Sequence, residues 1–230
     1  AIVDANGDKW PIKLISGADF YMQPKWSPDG KTIVWVSWDH PDMPWDRTRI
    51  EMATVGFNGG FPQVGEVSVL VGGEFSAQQP EFSPSGNYLA YLSDEQGFLQ
   101  LYVRNLETGE VQCMDASEND FGDPAWTQGQ RNYSWHSTKD ELYAIRRTEG
   151  SHTIFHYLLD GTTAQILTDV DYTVLAQLTV SRSGHLAMIA SASNIPSRIV
   201  SFEDNKEGIR AYSIPERISS DEYSSAQPIS

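Results

Sequence analysis

The sequence predicts an all-β fold of about four consecutive units, each with about four antiparallel strands. The first observation behind this prediction is a repeat, because QPKWSPDGKTIVWVS at 23–37 returns 56 residues later as QPEFSPSGNYLAYLS at 79–93. The second is that amphipathic helical periodicity is absent from the chain. Looser copies are NYSWHSTKDELYAIR at 132–146 and LTVSRSGHLAMIAS at 178–191, and the equivalent positions are Trp26, Phe82, Trp135 and Val180.

Each copy has the pattern of a β-hairpin. In the first two copies Pro and Ser open a tight turn, Gly30 or Gly86 supplies the positive φ, and apolar residues resume at once. Further β-rich runs follow, such as TRIEMATV and EVSVLVGG after the first copy, which gives about four strands per unit. Such units, repeating every 45 to 56 residues without helices, are typical of the blades of a β-propeller.

The repeat also predicts where the blades begin and end. We expect blades at about 10–60, 61–115, 116–169 and 170–214, so that the propeller occupies 1–214. Residues 215–230 lose the apolar periodicity and are expected to form a linker. Because an arc of a larger ring leaves two blade faces bare, we expect either a four-blade closure or a homo-oligomer that covers those faces.

Composition excludes several classes of partner. The net charge of −15 repels nucleic acid and anionic lipid heads, and no apolar run approaches the length of a membrane helix. The one cysteine, Cys113, rules out an internal disulfide and is expected to be a buried, unreactive thiol.

His152 and His156 lie on a predicted strand, roughly 13 Å apart, so we expect no metal site and no cofactor. The start of the sequence lacks a signal-peptide pattern, and a cytoplasmic location is expected.

One loop carries a more specific signal. The stretch SWDHPDMPWDRTRIEMATV at 37–55 resembles the WDHPxMPWDxTxL stretch in propellers of acylaminoacyl-peptidase-like and dipeptidyl-peptidase-like members of the prolyl oligopeptidase family. The segments at 79–103 and 121–135 continue this resemblance in order, and 216–230 resembles the end of the family's propeller, before its α/β-hydrolase domain. The repeat at 23–37 is also similar to that of TolB-like propellers.

The resemblance implies a function for the chain. Members of the family are serine peptidases whose nucleophile lies in a G-x-S-x-G elbow of the hydrolase domain, and no serine of this sequence has that pattern. The resemblance therefore implies a non-catalytic propeller that gates and docks peptide substrates. Its partners would be the peptide and a hydrolase domain of the same polypeptide. Two alternatives remain open, a free-standing TolB-like propeller that acts as a protein-interaction platform and a small-ligand or carbohydrate binder that uses the seven tryptophans.

The loop at 38–46 is the candidate docking site for a substrate or for the hydrolase domain. Its prolines fix its shape, its tryptophans offer apolar platforms, and its carboxylates suit a cationic group. The alternative is a structural role, in which the tryptophans pack between adjacent blades and the acids cap turns. The candidate residues are Trp38, Asp39, His40, Asp42, Trp45 and Asp46.

Overall fold

The described part of the chain is built entirely from β-strands and loops. The computed structural model describes residues 1–166, 172–203 and 206–212, and these residues contain strands but no helix. Consequently, none of the described segments forms a helix that could cross a membrane. The expected linker at 215–230 lies outside the described residues. The predicted all-β class is confirmed.

The strands form four successive antiparallel sheets. The first sheet contains β1 (Phe20–Trp26), β2 (Thr32–Trp38), β3 (Arg49–Asn58), β4 (Phe61–Val64) and β5 (Ser68–Gly72). The second contains β6 (Ala77–Phe82), β7 (Tyr88–Ser93), β8 (Gln100–Asn105) and β9 (Val111–Cys113). The third contains β10 (Tyr133–Trp135), β11 (Glu141–Thr148), β12 (Ser151–Leu158) and β13 (Thr163–Ile166). The fourth contains β14 (Val174–Val180), β15 (Leu186–Ala192), β16 (Ile195–Glu203) and β17 (Lys206–Tyr212).

The first sheet extends beyond the limit expected for the first blade. Strand β3 is long enough to pair with β4 at one end and with β5 at the other, so both short strands share its outer edge. The limit expected near residue 60 therefore falls inside this sheet, which ends at Gly72. The sequence repeat marks the start of each sheet better than its end, because the outer strands carry no shared motif.

The repeated motif forms the turn between the first two strands of its sheet. In the second copy Gly86 adopts a φ of 77° and donates its N–H to the Ser83 carbonyl at 2.9 Å. The Ser83 hydroxyl then accepts a hydrogen bond from the N–H of Tyr88 at 3.3 Å. A positive φ is accessible to glycine without a steric penalty, which explains why this position of the turn is glycine. The predicted hairpin is confirmed.

The first strand of three sheets contains a β-bulge that the repeat does not reveal. The antiparallel register shifts at this point in β1, β6 and β14. The bulged residues Gln23, Gln79 and Gln177 have φ values of 52°, 55° and 58°, which is the left-handed region. That conformation costs a non-glycine residue about 1–2 kcal/mol. Bulges redirect backbone and side-chain groups, and here they do so at the same place in the first, second and fourth sheets.

Each sheet has one central pair of cross-strand apolar residues on the same face, which in the first three sheets is the face toward the next sheet. These pairs are Val36 with Ile50, Leu92 with Leu101, Ile145 with Ile154, and Ile189 with Ile199. The first three pairs lie in hydrophobic clusters shared with the next sheet and are no more than 1% exposed. In the fourth sheet Ile189 is 40% exposed and Ile199 is 47% exposed. The fourth sheet thus lacks a neighbour on this face within the described residues.

The opposite end of the array is covered. Trp35 and Ile33 face away from the second sheet, yet both are buried, because Leu14 and Ile15 of the N-terminal segment pack against them. No hydrophobic cluster among residues 1–166, 172–203 and 206–212 joins the fourth sheet to the first. The four sheets therefore form an arc with one covered end and one open end.

Substitutions at equivalent positions of the second and fourth sheets test whether the outer face of the fourth sheet is uncovered. Replacing the buried Leu92 with alanine is expected to lower the free energy of unfolding by about 2–5 kcal/mol, because it leaves a cavity between two sheets. Ile189→Ala should cost roughly 1 kcal/mol or less, since much of this side chain already contacts water. Urea unfolding followed by tryptophan fluorescence measures both values. Equal losses would show that Ile189 is covered in solution.

Candidate functional site

The candidate loop at 38–46 begins at the end of β2 and is held against β1 by ring contacts. The Trp38 ring stacks on Phe20, with 5.1 Å between ring centroids and 14° between the planes. His40 meets the same phenyl ring edge-on at 4.9 Å. The peptide bond between His40 and Pro41 is cis. The two ring contacts anchor Trp38 and His40, the first and third residues of the loop.

The carboxylates of the loop are already bound within the protein. Asp39 accepts hydrogen bonds from Nη2 of Arg49 at 2.7 Å and from the N–H of Asp19 at 2.9 Å. The bond from Arg49 is the main reason that the pKa of Asp39 lies below its usual value. Asp42 is held by Arg47 at 2.7 Å. Neither carboxylate is therefore a free acceptor for a cationic substrate.

The two remaining candidates of the loop have local contacts. Asp46 closes a turn, because its carboxylate accepts the N–H of Met43 at 2.9 Å. Trp45 packs on Trp126, which belongs to the loop between the second and third sheets, with ring centroids 4.4 Å apart. Trp126 is 65% exposed, so the pair forms an aromatic surface that joins two connecting loops.

The structure brings only some of the candidates to one cavity. Asp39, His40 and Asp42 line a cavity of about 340 Å3, together with Arg47 and Arg49. Trp38, Trp45 and Asp46 are not part of its lining. The two aspartates and two arginines pair with one another, although Arg47 also binds Glu74 at 2.8 Å. The charged groups around this cavity thus neutralise one another. The two arginines and Glu74 that complete these ion pairs were not among the candidates predicted from the sequence.

A second cavity lies where the first strands of three sheets meet, and we call it the axial cavity. Its volume is about 350 Å3. Strands β1 and β6 and the segment before β10 form its walls. The lining residues are Gln23, Pro24, Lys25, Gln79, Pro80, Glu81, Gln128, Gly129, Gln130, Arg131 and Tyr133. Sequence reasoning did not identify this site, although the Gln-Pro pair that opens the first two repeat copies was a signal for it.

Side-chain amides join the sheets around the axial cavity. The N–H of Gln79 donates to Oε1 of Gln23, which links the second sheet to the first. Nε2 of Gln79 donates to Oδ1 of Asn132 at 2.7 Å, and the N–H of Asn132 returns a hydrogen bond to Oε1 of Gln79 at 3.0 Å. The Tyr133 hydroxyl donates to the Gln79 carbonyl. The bulge thereby exposes backbone groups of Gln79 that the neighbouring sheets satisfy.

The same region links the third sheet to the fourth. The N–H of Leu178 donates to the carbonyl of Arg131 at 3.1 Å. The Arg131 side chain in turn lies 3.4 Å from Oε1 of Gln177, the bulged residue of β14. At the rim, Lys25 and Glu81 form an ion pair of 3.4 Å between the first and second sheets. Polar contacts close to the axis therefore connect all four sheets in order.

The remaining residues singled out in the sequence have structural partners. Cys113 is half-buried, burial raises the pKa of its thiol, and its Sγ donates to Oε1 of Gln100 at 3.3 Å. His152 accepts the N–H of Leu175 at 2.9 Å, and His156 lies 3.1 Å from the carboxylate of Glu141. In the part of the chain that the structure describes, no three His, Cys, Asp or Glu side chains are grouped as for a metal ion.

Solved structures show what this chain is similar to. A puromycin-hydrolysing peptidase from Mycobacterium tuberculosis superposes with a TM-score of 0.78 and 25% identity, over 89% of this chain and 31% of that one. The chain has the fold of a β-propeller segment. A puromycin hydrolase structure gives a TM-score of 0.74 at 25% identity, over 86% of this chain and 30% of that one. TolB from Acinetobacter baumannii gives 0.63 at 19% identity, over 91% and 48% of the two chains.

These similarities confirm the predicted resemblance to prolyl oligopeptidase-family peptidases and to TolB-like propellers. No family model matches the sequence, and no curated protein matches it by sequence. The chain spans just under a third of the length of the puromycin-hydrolysing peptidases. The similarity at this length concerns their propeller portion.

Removal of the Tyr133 hydroxyl tests the hydrogen bonds between the second and third sheets. Tyr133→Phe keeps the shape of a buried ring but removes the donor to the carbonyls of Gln79 and Ala90. Leaving buried acceptors unpaired should lower the free energy of unfolding by about 1–3 kcal/mol. The matched control is Tyr88→Phe, at a partly exposed position of β7. Urea unfolding of both variants measures the difference, and equal stabilities would contradict the assigned role.

Proposed function

We propose that this chain is the non-catalytic propeller portion of a prolyl oligopeptidase-family serine peptidase, in which it gates and docks peptide substrates for a hydrolase domain. The observation that carries the proposal is the 25% identity and TM-score of 0.78 with a puromycin-hydrolysing peptidase across 89% of the chain. The sequence also contains no G-x-S-x-G elbow, so the chemistry belongs to another part of the polypeptide.

The physical role of such a propeller is to restrict access to a reactive centre. A rigid β-structure over a catalytic site excludes bulk water and folded proteins, and admits peptides that are short or unstructured. The connecting loops are the surface available for contact, and Trp45 with Trp126 offers an exposed aromatic platform there. The net charge of −15 favours ligands that are neutral or cationic, such as peptides with a free amino terminus.

The reading frame that encodes these residues gives the first test. We expect it to continue into an α/β-hydrolase domain with a G-x-S-x-G elbow, and sequencing of the gene decides this. The purified chain of 230 residues should not hydrolyse fluorogenic aminoacyl or peptidyl amides, because it lacks the elbow. A reading frame without a hydrolase, or turnover by the isolated chain, would contradict the proposal.

Substitution of an exposed tryptophan tests docking in the complete peptidase. Trp126→Ala removes half of the aromatic pair without opening a core, so the unfolding midpoint should not change. We expect KM for short peptides to rise several-fold while kcat stays constant, since only binding contacts are lost. Trp10→Ala is the matched control, because Trp10 is also exposed but lies on the N-terminal segment. Equal kinetic effects of the two substitutions would argue against docking at this surface.

A free-standing interaction platform is the second candidate function. The observation that favours it is the exposed apolar pair of the fourth sheet, Ile189 and Ile199. An exposed apolar patch on a folded protein marks a surface for association. Under this alternative the isolated chain forms a homo-oligomer that multi-angle light scattering detects, and Ile199→Arg returns it to a monomer.

A further inference from the structure

The axial cavity contains a buried hydrogen-bond donor that the protein does not use. Gln23 is only 7% exposed, and its N–H is held by Oε1 of Gln128 at 3.0 Å. Oε1 of Gln23 accepts the N–H of Gln79, which fixes the orientation of the carboxamide. Nε2 of Gln23 is then buried without a hydrogen-bond partner among the described residues. A buried donor in this state is unfavourable by itself and is satisfied when a ligand supplies an acceptor.

The same cavity contains a buried acceptor that is also unused. Nε2 of Gln130 donates to the carbonyl of Pro124 at 3.3 Å, so this amide is oriented as well. Oε1 of Gln130 is buried and has no hydrogen-bond partner within the described part of the chain. Both glutamines belong to the lining of the axial cavity. Two residues of the cavity lining thus carry one unpaired donor and one unpaired acceptor, and the other polar atom of each amide is hydrogen-bonded within the protein.

The chemistry of the remaining lining selects the class of ligand. Lys25 and Glu81 neutralise each other at 3.4 Å, and the side chain of Arg131 is directed to Gln177 at 3.4 Å. Pro24 and Pro80 add apolar surface beside the amides. A site of this kind suits an uncharged group that carries an acceptor and a donor together. The backbone of an extended peptide has this composition, because each residue carries one C=O and one N–H.

We propose that the axial cavity binds the backbone of an extended peptide, with Nε2 of Gln23 donating to a peptide carbonyl and Oε1 of Gln130 accepting a peptide N–H. This proposal rests on the proposed function, in which the peptide is the substrate of the complete peptidase. It adds that two side chains contact the backbone of that substrate. Because both contacts are with the backbone, the site is indifferent to the sequence of the peptide.

Two isosteric substitutions in the intact chain of 230 residues test the assignment. Gln23→Glu keeps the acceptor for the N–H of Gln79 but removes the unpaired donor Nε2. The control is Gln128→Glu in the same lining, which keeps the acceptor for the N–H of Gln23 and removes only the long hydrogen bond to the carbonyl of Tyr21. Both substitutions add one negative charge to the same cavity. The probe is N-acetyl-glycyl-glycine N-methylamide, which is uncharged and has no side chains, and binding is followed by NMR chemical shifts.

The wild-type chain should bind the probe saturably. We expect Gln23→Glu to weaken binding about tenfold, as for the loss of one buried hydrogen bond, and Gln128→Glu to stay within about threefold of wild type. Equal weakening of the two variants would indicate a charge effect and overturn the proposal, as would unchanged binding by Gln23→Glu. Thermal unfolding of each variant establishes that it is folded.

A change in the probe gives a test that does not depend on the folding of a variant. An ester analogue that replaces the central N–H with oxygen removes the donor to Gln130 and should bind wild type about tenfold more weakly. Equal affinity for the amide and the ester, or no saturable binding of the amide, would overturn the proposal. A negative result with these probes would not change the KM effect expected for Trp126→Ala in the complete peptidase. The failure of this proposal can therefore be distinguished from the failure of the proposed function.

Discussion

The arrangement of the sheets depends on the bulged glutamines in the first strands of the first, second and fourth sheets. Gln79 is the clearest case, because its left-handed backbone turns its N–H toward the first sheet and its carbonyl toward the third. Its side chain then exchanges two hydrogen bonds with Asn132. Apolar packing holds neighbouring sheets together but is not directional. The amide contacts fix how the first strands meet, and with that the shape of the axial cavity.

The sequence was sufficient to predict the fold class because the relevant signals are local. The turn at Gly86 depends on residues within one hairpin, and the apolar run around Leu92 lies within one strand. The bulges at Gln23, Gln79 and Gln177 could not be predicted in the same way. Each is stabilised by groups of another sheet, so its left-handed conformation is visible only once the sheets are assembled.

The sequence marked the loop at 38–46 as a candidate, and that role stays a prediction, but the electrostatics of the loop could not be predicted. The composition of residues 38–46 marked the loop, yet the state of Asp39 and Asp42 depends on Arg49 and Arg47, which follow the candidates in sequence. The contact of Trp45 with Trp126 joins loops that are far apart in the chain. The axial cavity was missed altogether, because its lining comes from three sheets and a single Gln-Pro pair does not reveal how those sheets converge.

The cover over the first sheet bears on how the polypeptide folds as it leaves the ribosome. Leu14 and Ile15 are synthesised before the strands that they protect, and Trp35 is buried against this side of the sheet. Once Gly72 has been synthesised, this sheet can bury one face under Leu14 and Ile15, and its other face is available to pack against the second sheet. Each described sheet contacts mainly its neighbours in sequence, so folding that starts in one sheet can propagate to the next.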